Sequence, residues 1–290
     1  MSTERETKSQ KREAAKAKAL AMRQIEQKKR KQRLITTWVT SGVALIGVAA
    51  LVFFVVTGSN SLSVQASTAA PNNMASDGAI LTSPTEVKQN TGYDLESGKP
   101  AASSAELEGS DVPHIEIYLD YACPHCAEFE ADNSEYMTSL LESGRATVEV
   151  KPIVVLNTPM SYTGSNAAAC VANYAPEKLW EFNSKLFALT EESGTNESGV
   201  RTVLSDLNLT AEEKKTVGAC DDSNMFSKWV ETATLNALAR TDANNAQIVT
   251  GTPTVLVDGV KYPFGPKDFK TFMEAVLNGS TPEQIIAENS

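Results

Sequence analysis

A pair of cysteines two residues apart, Cys123 and Cys126, lies where a strand pattern gives way to a helix pattern. Before the pair, residues 115–119 alternate between apolar and polar side chains, as a half-buried strand does. After it, apolar residues recur with helical spacing, at Phe129, Tyr136, Met137, Leu140 and Leu141. Cys123 is therefore predicted at a helix N-terminus, where free backbone N–H groups and the helix dipole stabilise a thiolate. In such sites the cysteine pKa falls to roughly 3.5–7.5.

A stabilised thiolate is a good leaving group, so a disulfide between these cysteines passes readily to another protein. The pair thus predicts dithiol–disulfide oxidoreductase chemistry, with no bound cofactor because the cysteines carry the electrons. Zinc is disfavoured because it needs about four ligands, and the other candidates, Cys170, Cys220 and His114, are scattered along the chain. A purely structural bridge is disfavoured because so short a loop adds little stability through chain entropy. We therefore expect no metal.

A long basic segment precedes an uncharged apolar run near the N-terminus. Residues 1–33 carry 12 Lys or Arg and 4 Glu, about +8, in a chain whose net charge is −10. Leu34–Val56 then gives about 23 mostly apolar residues, enough to cross a bilayer as a helix. By the positive-inside rule, the basic segment is cytoplasmic and everything after Val56 is outside. We expect a single-pass protein of the cell membrane, and nucleic-acid binding by the basic segment is disfavoured.

A cleaved signal peptide is the alternative, because residues 64–66 resemble a cleavage site with small residues. An uncleaved anchor is favoured because the basic region is long and the apolar run exceeds the usual length of about 7–15 residues for a signal peptide.

Outside the cytosol disulfides form and persist. Cys170 and Cys220 are therefore expected to form a structural disulfide that contributes roughly 4 kcal/mol in the chain-entropy model. Two unrelated buried thiols are the alternative.

The remaining sequence predicts a tether followed by an α/β domain. Residues 57–77 are rich in Ser, Asn, Ala and Pro and are typical of a flexible linker. In residues 78–290 the order is strand, Cys-x-x-Cys helix, strand, helical block, hairpin and helix, with the helical block at about 160–245. This order predicts an α/β fold, a thioredoxin-like core with an inserted all-helical domain, preceded by one N-terminal transmembrane helix.

Two motifs make the chain resemble the DsbA family of exported thiol–disulfide oxidoreductases, and more narrowly its membrane-anchored actinobacterial, MdbA-like members. Residues 123–126 (CPHC) match the active-site motif of that family, and residues 249–254 (VTGTPT) match the segment where the family has a cis-proline. The resemblance covers roughly residue 78 to the C-terminus. The two motifs in this order, on either side of a helical insertion, are far more specific than either one alone.

The resemblance implies a role for each residue of the two motifs. Cys123 is the nucleophile that forms the mixed disulfide with substrate, and Cys126 is its resolving partner. His125 is a candidate stabiliser of the Cys123 thiolate, and Pro124 stiffens the turn. Thr252 and Pro253 are expected to bind an extended substrate segment, as a strand adds to the edge of a sheet.

The resemblance also implies partners, and it leaves alternatives open. We expect the protein to be a monomer and its substrates to be reduced exported proteins. We also expect a membrane reoxidase that resembles DsbB or vitamin K epoxide reductase. Many thioredoxin-type proteins carry a buried carboxylate six positions before the first cysteine, where this chain has Ile117, while Glu116 and Asp120 are expected on the opposite face. The alternatives are a thiol reductase or disulfide isomerase on the same fold, and a non-catalytic membrane-anchored chaperone or adaptor.

Overall fold

A mixed β-sheet is the centre of the computed structural model, which describes residues 66–99, 101–109, 111–193, 196–264 and 268–288. Its strands are β1 (Ala79–Ser83), β2 (Glu86–Val87), β3 (His114–Leu119), β4 (Thr147–Pro152), β5 (Thr254–Val257) and β6 (Val260–Lys261). The strand order is β2-β1-β4-β3-β5-β6. β3 and β4 run parallel, and the other neighbours run antiparallel. This sheet confirms the predicted thioredoxin-like α/β core.

Helices pack around this sheet, and most of them lie between β4 and β5. In the described ranges they are α1 (Ser104–Glu108), α2 (Pro124–Glu142), α3 (Pro159–Tyr174), α4 (Leu179–Ser193), α5 (Glu197–Asp206), α6 (Ala211–Asp222), α7 (Ser227–Ala239), α8 (Phe269–Leu277) and α9 (Pro282–Ala287), with a 3-10 turn at Pro176–Lys178. Helices α3 to α7 occupy the position of the predicted helical block. Cys170 of α3 and Cys220 of α6 are joined by a disulfide, with their Cα atoms 5.8 Å apart.

The two faces of the central strand β3 differ in chemistry. Ile115, Ile117 and Leu119 alternate onto one face and join the main apolar core. Glu116 points to the other face, where the Arg240 guanidinium pairs with it and the Lys151 ammonium lies 3.8 Å away. As β3 ends, the chain turns directly into α2, so the buried sheet fixes where the Cys-x-x-Cys segment begins.

The second strand of the core is shorter than predicted. The sequence predicts a strand over residues 146–156, whereas β4 ends at Pro152. Beyond it, the backbone N–H groups of Val155 and Leu156 donate to Oδ2 of Asp120, each at 2.9 Å. These two N–H groups bind Asp120, just after the end of β3, and do not extend the sheet.

The predicted tether is wrong in its second half. Residues 70, 71 and 73–77 are buried. The side-chain amide of Asn73 donates to the carbonyl of Ala172 at 2.8 Å. Asp77 accepts from Trp229 Nε1 at 3.2 Å and from Asn236 Nδ2 at 2.7 Å. Polar side chains that suggest a solvated linker in sequence are here the groups that attach the segment to α3 and α7.

The N-terminal predictions, the basic segment 1–33 and the anchor 34–56, lie outside the described residues. Within the part of the chain that is described, no helix combines the length and the apolar character needed to cross a bilayer.

Candidate active site

Cys123 is the N-cap residue of α2, and its side chain makes no capping hydrogen bond to the first turn. In the protonated form its thiol donates instead to the carbonyl of Thr252 at 3.2 Å, across 129 residues of sequence. Cys126 lies in the first turn of the helix, and both cysteines are buried free thiols. The structure therefore brings the two sequence motifs together at one point.

The pairing of β5 with β3 accounts for this meeting of the motifs. Tyr118 is in register with Thr254, so the strand that leads to Cys123 lies beside the strand that follows Pro253. The Thr252–Pro253 peptide bond is cis. The preceding loop is held by Lys261, whose ammonium donates to the carbonyl of Ile248 at 2.8 Å and to the Thr250 hydroxyl at 3.2 Å.

The two thiols differ sharply in acidity. The pKa of Cys123 is lowered to about 5, first because the Cys126 thiol donates a hydrogen bond to it. Burial opposes this change, and the backbone N–H groups of Cys126 and His125 support it. Burial raises the pKa of Cys126 far above its ordinary value, and the neighbouring Cys123 raises it further. At neutral pH the site therefore holds a thiolate at Cys123 and a protonated thiol at Cys126.

The two residues between the cysteines contribute mainly through the backbone. Pro124 occupies the first turn of α2, where a missing N–H leaves no helical hydrogen bond unmade. The imidazole of His125 is 79% exposed, and its Nδ1 lies 3.3 Å from the Glu128 carboxylate. Support for the Cys123 thiolate comes from the backbone N–H of His125, whereas the expected role was one for its side chain.

An aromatic groove of about 750 Å³ adjoins the two motifs. Pro253 and His125 are among the residues that line it, and its aromatic lining residues are Phe129, Tyr262, Phe264 and Phe269. Phe264 is 48% exposed although its ring contacts Phe129 at a centroid distance of 5.8 Å. An apolar surface open to solvent beside a reactive thiol can hold an apolar side chain of an extended peptide.

A buried acid near the cysteines was missed by the sequence analysis. Glu130 lies four residues after Cys126 on α2, is buried, and accepts a hydrogen bond of 2.5 Å from Asn183 Nδ2. Burial raises the pKa of Glu130 to about 7, against the effect of the Asn183 hydrogen bond. Its spacing in the sequence could have indicated that it is buried, because Glu130 lies on the same helix face as Cys126 and Met137.

A family model and several solved structures are similar to this chain. A thioredoxin family model matches residues 109–276. The solved structure of MdbA, a thiol–disulfide oxidoreductase from Actinomyces oris, is 27% identical, covers 60% of this chain and 84% of its own, and has a TM-score of 0.50. Reduced DsbA from Mycobacterium tuberculosis is 19% identical, with 73% and 97% of the two chains covered and a TM-score of 0.48. Comparison with curated proteins finds no match.

Proposed function

The chain belongs to the thioredoxin family and is a thiol–disulfide oxidoreductase, and we propose that it donates disulfide bonds to newly exported proteins. The observation that carries the proposal is the contrast between its two thiols. The pKa of Cys123 is lowered to about 5, whereas that of Cys126 is raised by burial. A thiolate that is stabilised in the reduced form makes the disulfide form the less stable partner, so the disulfide is passed on.

The proposed reaction is a pair of thiol–disulfide exchanges. A substrate thiolate attacks Sγ of Cys123 in the disulfide form, so that the bond to Cys126 breaks and a mixed disulfide forms. A second substrate thiolate then attacks the substrate sulfur of that mixed disulfide and releases the Cys123 thiolate. The substrate gains one disulfide, and the two electrons remain on Cys123 and Cys126.

Substrate binding is assigned to the segment of Thr252 and Pro253 and to the aromatic groove beside it. The carbonyl of Thr252 lies 3.2 Å from Sγ of Cys123, so backbone paired with Thr252 would pass directly over the reactive sulfur. An extended segment can pair there as an added strand while Phe264 contacts one of its apolar side chains. His125, exposed at the same rim, would contact the substrate rather than the thiolate.

The proposed setting is the outer face of the cell membrane. The apolar run at 34–56 would tether the enzyme with its N-terminus in the cytoplasm. The disulfide between Cys170 and Cys220 supports an oxidising compartment. A quinone-linked membrane protein that resembles DsbB or vitamin K epoxide reductase would then reoxidise the two cysteines.

The reduction potential of the Cys123–Cys126 couple tests the direction of transfer, measured by equilibration with glutathione buffers. Reference values are about −120 mV for DsbA and about −270 mV for thioredoxin. We expect a value clearly above that of thioredoxin. A value close to that of thioredoxin, about −270 mV, would mean that the protein is a reductase and not an oxidase.

Substitution of the nucleophile tests the non-catalytic alternative, a chaperone or adaptor that holds substrates in the aromatic groove. We expect Cys123→Ser to abolish disulfide transfer and, with it, complementation of a strain that lacks the protein. Complementation that survives the loss of disulfide transfer would favour the adaptor.

A further inference from the structure

The aromatic groove beside the active site is acidic as well as apolar. Three of its lining residues are carboxylates, Glu128 and Asp132 of α2 and Asp268, which caps the start of α8. Among its described lining residues the one ammonium group is that of Lys270, which lies 5.5 Å from the ring centroid of Tyr136. Tyr136 does not line the groove. The described lining of the groove therefore carries a net negative charge.

The two carboxylates of α2 are neighbours on the surface of that helix. Glu128 and Asp132 are spaced i and i+4, and both are exposed. Like charges at this spacing repel each other and destabilise a helix. Within the described ranges, Glu128 contacts the His125 imidazole at 3.3 Å and Asp132 forms no ion pair. A cation bound between the two carboxylates would relieve their repulsion.

Asp268 adds a third carboxylate from a different element. Its Oδ1 accepts a hydrogen bond of 2.7 Å from the backbone N–H of Thr271, which fixes the side chain at the start of α8. Burial raises the pKa of Tyr262, and the charge of Asp268 raises it further, so this carboxylate lies near the Tyr262 phenol. The groove thus places carboxylate oxygens beside aromatic rings.

The aromatic rings offer a surface that suits a cationic side chain. Phe264 is 48% exposed, and its ring centroid lies 4.9 Å from that of Tyr262 and 5.8 Å from that of Phe129. The face of an aromatic ring attracts a lysine or arginine head group. The methylene stem of such a side chain can cover apolar surface while its head reaches a polar group. A purely apolar side chain would fill the aromatic part of the groove but leave its carboxylates without a partner.

We propose that the aromatic groove selects substrate segments in which an arginine or lysine lies close to the reactive cysteine, an inference that rests on the proposed function. The methylene stem of the basic residue packs on Phe264, and its cationic head binds Glu128 and Asp132. Thr252 lines the same groove, and its carbonyl lies 3.2 Å from Sγ of Cys123. A segment held in the groove therefore has its own cysteine beside the active site.

The test compares two peptide dithiols that differ only in charge. Each carries the same two cysteines, with either arginine or citrulline two residues before and two residues after the first cysteine, because side chains at i and i+2 share one face of an extended segment. Citrulline has nearly the shape of arginine and no charge. Each peptide is also reacted with hydroxyethyl disulfide, a neutral reagent, and its rate with the protein is divided by that rate to remove differences in thiol acidity.

The oxidised full-length protein, in detergent micelles, is mixed with an excess of each peptide in a single turnover. Acid quenching, alkylation and mass spectrometry then follow the transfer of the disulfide. We expect the arginine peptide to react about tenfold faster at low salt, since an exposed ion pair contributes modestly and two or three would form. At about 0.5 M NaCl, where exposed charges are largely screened, the advantage should fall to about twofold.

A double variant, Glu128→Gln with Asp132→Asn, removes both charges of α2 and keeps the size of the side chains. We expect it to reduce the arginine advantage to about twofold or less and to leave the rate of the citrulline peptide within about twofold of the wild type. The matched control, Glu135→Gln with Glu142→Gln, removes two exposed carboxylates of the same helix that do not line the groove, and should keep the advantage. Asp268 stays in place because it caps α8.

Equal normalised rates for the two peptides would overturn the proposal and leave the proposed function intact. An arginine advantage of the same size in both double variants would also overturn it, because the advantage would then come from the overall charge of the protein. If the oxidised wild type transfers its disulfide to neither peptide, the proposed function itself fails, and this inference fails with it.

Discussion

Removal of the Cys126 thiol should raise the pKa of Cys123, because the hydrogen bond from that thiol is the largest cause of its low value. Cys126→Ala removes the donor, whereas Cys126→Ser keeps a donor of nearly the same size. A hydrogen bond to a charged group is worth about 1.5–3 kcal/mol, which corresponds to about 1–2 pKa units. We therefore expect the Cys123 inflection to stay near 5 in the Ser variant and to lie about 1–2 units higher in the Ala variant.

The rate of Cys123 with dithiodipyridine, measured from pH 3 to 9, reports this inflection. At pH 5 about half of Cys123 is thiolate, against about 0.03% of an ordinary cysteine with a pKa near 8.5, a roughly 1600-fold excess. Its thiolate is a weaker nucleophile by about 40-fold, from a Brønsted slope of about 0.45 over about 3.5 units. Cys123 should thus react about 40-fold faster than glutathione at pH 5, whereas the two effects nearly cancel at pH 7.

Two results would refute this account of the thiolate. An inflection near that of an ordinary cysteine, about 8.5, in the Ser variant would show that the helix N-terminus and its donors do not stabilise Cys123. Equal inflections in the Ser and Ala variants would show that the Cys126 donor has no part in it. In that second case, the backbone N–H groups of Cys126 and His125 would carry the effect.

Three further predictions concern the sheet, the insertion and the groove. Lys151→Met breaks the buried ion pair with Glu149 and should lower the free energy of unfolding in urea by about 3–5 kcal/mol. Since the pKa of Glu149 is lowered from 4.5 to about 2 despite its burial, this difference should be full above pH 5 and shrink as the pH falls towards 2. Joint replacement of Cys170 and Cys220 by Ala should cost about 4 kcal/mol in the same assay, and an unchanged midpoint would contradict the entropic argument. Phe264→Ala should lower kcat/KM several-fold for peptide dithiols but leave the reaction with glutathione unchanged, whereas equal losses would remove the groove from substrate binding.

Local signals in the sequence were sufficient for the elements that carry their own end markers. Thr210 and Glu213 form the capping box that the sequence indicates at the start of α6. The sequence of helix α3 shows no apolar face distinct from a polar face. Small residues such as Gly164 and Ala167–Ala169 are instead buried on most sides of this helix. The close approach of Tyr121 to Gly164, where an added Cβ would lie 2.7 Å from the Tyr121 Cβ, explains the need for small residues there. Such packing depends on partners that are distant in sequence.

The site was predictable to the extent that its chemistry is local. The position of Cys123 at a helix start follows from the pattern of residues on either side of it. Glu130 escaped notice because a carboxylate within an apolar stripe is normally exposed, and its partner Asn183 comes from a helix more than 50 residues further along the chain. The side chain of His125 was expected to stabilise the Cys123 thiolate because the two residues are close in sequence. In the structure its imidazole faces Glu128 and solvent, which closeness in sequence does not reveal.

The pKa of Cys123 also sets an expectation for the direction of electron flow. At pH 7 a pKa of about 5 stabilises the reduced form by about 1.7 pKa units more than a thioredoxin-like pKa near 7 does, which is about 2.3 kcal/mol. For a two-electron couple this corresponds to about 50 mV. The same calculation for DsbA, with a pKa of about 3.5, gives about 95 mV of the roughly 150 mV that separate it from thioredoxin.

Thiolate stabilisation thus explains about two thirds of the DsbA–thioredoxin difference. For this protein, thiolate stabilisation alone predicts a potential of about −220 mV, and scaling by the same proportion predicts about −190 mV. Structural disulfides of secreted proteins have potentials below about −300 mV, so transfer to them would be favourable by at least about 80 mV, or roughly 4 kcal/mol. An oxidase therefore does not need the extreme potential of DsbA. A measured value below about −250 mV would mean that the Cys123 thiolate does not set the direction of transfer, and the reductase would become the better assignment.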